Sequence, residues 1–156
     1  MHKLIPLFLL SLLGLSVETS IQAAAAIPNI TGYWQIIDDH SHQPKAIIQI
    51  YAQNNLLYGK VVGGYPVNGI MPHDTCPNCP APFTNQPVMG MRILWGMTYN
   101  ASTHDYQGGQ ILDPEAAHIY QAMLTPSADG QSLQVRGYID IPLLGRTQTW
   151  HRLAHS

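Results

Sequence analysis

Charge is scarce in this 156-residue chain. Asp, Glu, Lys and Arg make up 10% of it, and the formal net charge is -2. A nucleic-acid-binding surface needs a concentrated basic face, so that class is excluded. Lysine is rare: beyond Lys3 only Lys45 and Lys60 occur. No strong amphipathic helical pattern is present. No apolar run reaches the roughly 20 residues needed to span a bilayer, so no transmembrane segment is expected in the mature protein. No nucleophile stands out either, because every serine and threonine fits a turn or a strand. No cofactor is expected. With 46% hydrophobic residues the composition is ordinary for a folded domain, which excludes a disordered chain.

The N-terminus reads as a targeting signal. Lys3 supplies a positive start, Leu4 to Leu15 is an apolar run, and Ala23-Ala24-Ala25-Ala26 offers small-residue cleavage sites. Residues 1–25 are therefore expected to be a cleaved signal peptide. Residues 27–156 are expected to form one exported domain, periplasmic or secreted.

That domain reads as β almost throughout. Strand patterns cover Gly32 to Ile37, Ala46 to Tyr51, Leu56 to Val62, Met89 to Met97, Tyr106 to Leu112, Ala117 to Leu124, Gln131 to Tyr138 and Leu143 to Arg152. Asn54-Asn55 marks the turn of the first hairpin. About eight sequential antiparallel strands suggest a single small all-β, up-and-down barrel. Closure is preferred over an open sandwich because it removes exposed edges. Residues of about 63–87 break the pattern. This stretch is rich in proline and holds both cysteines, so a helix is excluded there and a long loop is expected.

Certain residues carry a family likeness. Gly32-Tyr33-Trp34 resembles the Gly-x-Trp signature on the first strand of lipocalins and related calycins. In those proteins a basic residue of the last strand packs across the tryptophan. The resemblance implies that Trp34 and Arg152 form such a structural closure, with Arg146 the second choice. Pro87-Val88-Met89-Gly90-Met91, the run Gly108 to Glu115, Val135-Arg136-Gly137-Tyr138 and the run Leu144 to Arg152 follow in order. Together they resemble an uncharacterised exported bacterial family, domain of unknown function 2147, over essentially the whole mature chain. The resemblance implies a calycin-like, lipocalin-like barrel with no established activity. Asp140 departs from the pattern, which has glycine there.

Several readings of the chemistry stay open. Cys76-Pro77-Asn78-Cys79 is favoured as a disulfide pinning the proline-rich loop, since an exported protein meets an oxidising compartment. A metal site from His73, Cys76 and Cys79 is the weaker alternative, and it lacks a clear fourth ligand. Redox catalysis would need a helix N-terminus at the first cysteine, which Pro80 and Pro82 forbid. His40-Ser41-His42 reads as a polar loop in preference to a metal site. His104-Asp105 resembles a base with its orienting acid but has no nucleophile to serve. Asp113-Pro114-Glu115 reads as a turn.

The arginines are the sharper question. Arg92, Arg136 and Arg146 lie on predicted strands. If they face inward beside Tyr120, Trp95 and Trp150, they form a ligand-binding lining for a small hydrophobic or amphipathic molecule, with an anionic head as one option. The competing reading has them pair with acids and seal the wall. The chain is thus expected to be a non-enzymatic binding protein. The alternative is a structural or interaction protein of the cell envelope with a filled barrel.

Overall fold

The computed structural model describes residues 26–154, so the expected signal peptide lies outside the described residues. The strands are β1 (Gly32–Ile37), β2 (Pro44–Gln53), β3 (Leu56–Gly64), β4 (Thr75–Cys76), β5 (Gln86–Pro87), β6 (Arg92–Asn100), β7 (Asp105–Asp113), β8 (His118–Pro126), β9 (Ser132–Tyr138) and β10 (Arg146–Arg152). Eight of them close into one antiparallel barrel in the order β1-β10-β9-β8-β7-β6-β3-β2. The short β4 and β5 pair with each other inside the long loop. Ring closure is made between β1 and β10, where Trp34 lies opposite Arg152 and Ile36 opposite Trp150.

Local sequence explains much of this. Asn54 and Asn55 take φ of 52° and 62°. A type I′ two-residue hairpin turn needs positive φ at both central positions, and asparagine tolerates it. The Pro142–Leu144 segment forms a single 3-10 turn before Gly145, so β10 starts at Arg146 rather than Leu143. Asp140 sits at φ 64°, in the left-handed region where glycine is at home.

In β6 the simple alternation fails. Gly59 pairs with Leu94 but Lys60 with Arg92, and Leu57 pairs with Met97. Each step inserts an extra residue into β6, which is the definition of a bulge. Ile93, Leu94 and Met97 are all buried as a result. Regular alternation would put Ile93, Trp95 and Met97 on one face; the bulges leave Ile93 and Met97 inside and turn Trp95 away. Trp95 instead stacks on Phe83 of the long loop, ring centroids 5.6 Å apart.

The two ends of the barrel differ. At one end, the segment before β1 crosses the opening. Trp34 Nε1 donates to the Ile30 carbonyl at 2.9 Å, and the Tyr106 hydroxyl donates to the Pro28 carbonyl at 2.6 Å. Trp34, Ile30, Ile50, Leu94, Met97, Leu124 and Leu133 are fully buried and fill this half. At the other end lie the β1–β2 turn, the proline-rich loop, the β7–β8 turn and the β9–β10 connection. No helix among the described residues is long and apolar enough to cross a membrane.

Candidate functional site

The half of the barrel away from Trp34 encloses a cavity of about 1180 Å³. Its walls come from inward positions of almost every strand. Ile36 of β1, Ile48 of β2, Val61 of β3, Ile93 of β6, Ile111 of β7, Tyr120 of β8, Val135 of β9 and Trp150 of β10 line it. Glycines keep it open. Gly137 faces the space beside Tyr120, and a Cβ built there meets Tyr120 at ordinary contact distance, 3.4 Å. A larger side chain at this position would reach into the cavity.

Gln148 stands out among these apolar walls. The Trp150 indole N–H donates to Gln148 Oε1 at 3.1 Å. An indole nitrogen only donates, so this contact fixes which end of the amide is oxygen. The amide N–H2 end is then the one left for the cavity.

The mouth is formed by the loops. Val67, Ile70, Met71, Pro72 and His73 make one lip; Ile139 and Leu144 belong to the other. Ile70, Met71, Leu143 and Leu144 are strongly exposed, up to 81% for Leu143. Charged groups lie between the lips. Lys45 Nζ reaches Glu115 at 2.6 Å and Asp38 at 3.7 Å, and Arg146 pairs with Asp39. That hydrogen bond to Asp39 raises the Arg146 pKa above its ordinary value. Asp38 Oδ1 accepts from the Ser41 amide at 2.8 Å, the Ser41 hydroxyl at 2.9 Å and the His40 amide at 3.1 Å. Hydrogen bonds from the Ser41 amide and then its hydroxyl lower the Asp38 pKa to about 2.

Cys76 and Cys79 form a disulfide, with Cα atoms 5.4 Å apart. Both are buried, and Cys76 Sγ lies 3.4 Å from the Pro114 carbonyl oxygen. The bridge thus packs the proline-rich loop against the β7–β8 turn. Sulfurs joined to each other are not thiolates, so the His73, Cys76 and Cys79 metal set loses two of its ligands. No grouping of three His, Cys, Asp or Glu suited to a metal occurs among the described residues. Cys76 ends a strand and is followed by turns, so it has no helix N-terminus to lower its pKa.

The six residues expected to line a site divide evenly. Tyr120, Trp150 and Arg146 line the cavity, with Arg146 at its mouth. Arg92, Arg136 and Trp95 do not. Arg92 lies 4.7 Å from the Tyr58 ring centroid and donates to the Tyr51 hydroxyl at 3.2 Å. Arg136 sits between the inward-facing Val135 and Gly137, and so points outward. There it donates to the carbonyls of Pro142 and Leu143, at 2.6 and 3.1 Å, and to the Thr147 hydroxyl at 2.6 Å. It straps the β9–β10 connection to the wall. Gln148 was legible as a neighbour of Trp150 on the same face of β10, and a lone amide on an inward face is a signal in itself.

The other candidate pairs have local structural roles. His104 Nδ1 lies 3.3 Å from the Tyr99 hydroxyl, and Asp105 accepts from the Thr103 hydroxyl at 2.9 Å. Asp113 Oδ1 accepts the amides of Glu115 and Ala116, at 2.9 and 3.2 Å, and shapes the turn. His40 and His42 belong to the β1–β2 turn, with His42 at φ 56°.

A closed antiparallel barrel of eight strands, hollow at one end and sealed at the other by a first-strand tryptophan under a last-strand arginine, is lipocalin-like. The chain belongs to the family described as "Uncharacterized protein conserved in bacteria (DUF2147)", whose model matches residues 32–152. A similar solved structure is described as protein HP1028 from the human pathogen Helicobacter pylori, which belongs to the lipocalin family. It superposes with a TM-score of 0.67 at 19% identity, covering 81% of this chain and 84% of that one. At that identity the likeness speaks for the fold. No curated protein matches the chain.

Proposed function

We propose that this protein is an exported, non-enzymatic carrier that holds one small hydrophobic or amphipathic molecule in its barrel. The cavity carries this reading: about 1180 Å³, walled by aliphatic side chains and Trp150, and bordered by two apolar lips. Burial of apolar surface supplies the affinity, at roughly 25 cal/mol per Å² removed from water. Tyr120, Trp150 and Gln148 would touch the ligand, and Arg146 would stand at the entrance. Arg92, Arg136 and Trp95 would support the wall from outside. Export fits the basic, apolar and small-residue pattern of residues 1–25 and a disulfide that needs an oxidising compartment.

Native mass spectrometry of protein purified from a bacterial periplasm, joined to titration with the apolar fluorophore N-phenyl-1-naphthylamine, tests the reading. A retained small molecule, or saturable fluorescence lost in Gly137→Phe, supports it. A clean apo mass with no fluorophore uptake overturns it, and leaves the envelope interaction protein. The exposed Ile70, Met71, Leu143 and Leu144 favour that second reading as a contact surface.

A further inference from the structure

Resting on the carrier reading, we infer that the cavity selects ligands whose polar head is an uncharged hydrogen-bond acceptor, such as an ester or amide carbonyl. Free carboxylates are disfavoured. The recognising group is the amide N–H2 of Gln148.

Three observations converge. The first is the polarity of Gln148. Its oxygen is held by the Trp150 indole N–H at 3.1 Å, so the side chain cannot turn over to offer an acceptor without orphaning that donor. What it offers the cavity is a neutral donor, half-buried among apolar walls. A ligand carbonyl satisfies it; an alkyl chain does not.

The second is the cations. Lys45 and Arg146 are the lysine and arginine among the cavity walls, and both stand at the mouth. Each is already engaged, Lys45 with Glu115 and Asp38, and Arg146 with Asp39. Arg146 is two residues from Gln148 on the same face, but its guanidinium is turned to Asp39, so a carboxylate drawn down to Gln148 would lose its hydration and gain that cation only by breaking the existing pair. Burying an unpaired carboxylate costs far more than one neutral hydrogen bond returns.

The third is the field at the entrance. Asp74, Asp113, Glu115 and Asp140 all line the cavity, against Lys45 and Arg146. The excess of negative charge opposes an entering anion. It does not oppose a neutral ester.

Displacement of N-phenyl-1-naphthylamine from the full mature chain at pH 8 tests this with three twelve-carbon ligands. Monolaurin has a neutral ester head, laurate an anionic one, and dodecyltrimethylammonium a cationic one. Monolaurin is expected to displace the fluorophore at about a tenfold lower concentration than either charged ligand. Gln148→Glu keeps an oxygen for the Trp150 N–H and removes the donor. It is expected to weaken monolaurin about tenfold more than it weakens the fluorophore. Laurate or the cation matching monolaurin overturns the inference, as does monolaurin binding that survives Gln148→Glu. Failure of the fluorophore itself to bind overturns the carrier reading beneath it, and the two failures are distinct.

Discussion

The guanidinium carbon of Arg152 lies 4.3 Å from the centre of the Trp34 ring, and its three nitrogens donate to the carbonyls of Gly130, Thr31 and Asn29 at 2.6, 2.9 and 2.8 Å. One side chain thus ties the last strand to the β8–β9 turn and to the segment before β1. Arg152→Ala removes the stacking and orphans three carbonyls. It is expected to cost about 3 kcal/mol in urea unfolding. Arg152→Lys keeps the charge but not the fork, and should recover less than half of that. A loss under about 1 kcal/mol for Arg152→Ala would remove this residue's role as a seal.

Gly109 of β7 packs directly against β6. A Cβ there would collide with the Trp95 carbonyl oxygen and the Met97 sulfur, and would come within 2.8 Å of the Gly96 carbonyl carbon. Backbone cannot yield as a side-chain tip can. Gly109→Ala is expected to destabilise by about 2 kcal/mol or more, read as a lowered denaturation midpoint. Gly137→Ala, whose Cβ meets only ordinary contacts, should be neutral or mildly stabilising in the same assay.

The disulfide closes a very short ring, since its cysteines are three apart in sequence. Loop-closure entropy then gives only about 2 kcal/mol. The Cys76→Ser, Cys79→Ser double variant should keep a folded barrel with a modestly lowered midpoint. Hydrogen exchange should rise at the Asn85 and Val88 amides, which donate to Cys76 and Asp74 within the loop. Global unfolding of the variant would contradict this division between barrel and loop.

Asp38 gives the β1–β2 turn an acid limit. Its folded pKa of about 2 lies below the ordinary 3.8, so the turn gains stability that is fully present above about pH 4. That contribution is lost as pH falls through 4 towards 2. Carboxyl chemical shifts should titrate near pH 2, and the protection of the Ser41 amide, its exchange rate relative to the intrinsic rate at each pH, should fall over the same window. Asp38→Asn should remove this pH-dependent fall in Ser41 protection.

Much of the barrel is legible in the residues, and the limits have physical causes. Gly32 to Ile37 matches β1 to the residue because alternation there is regular. The asparagine pair marks its turn because few residues accept positive φ twice in succession. Asp140, where the resemblance leads one to expect glycine, has positive φ. Its side chain tolerates that region, which is why the departure leaves the fold intact. The facing of Arg92 and Trp95 was not legible. Two bulges in β6 turn over the side chains between them, Trp95 among them, and an extra residue leaves no mark on composition or alternation. The cavity itself depends on how much space Gly137 and its neighbours leave across the barrel. That is a sum over strands distant in sequence, so no single stretch encodes it.

The ring is joined between its earliest and latest strands, β1 and β10. During synthesis β1 therefore waits for its second neighbour until residue 152 has been made. Every partial chain carries two unpaired edges, and the bond that removes them has the longest sequence separation in the molecule. Barrel closure is held back until β10 is present, and the intermediates before that point are the ones exposed to edge-to-edge association. A chain shortened by its last few residues would lose both the edge cover and the Arg152 plug in one event.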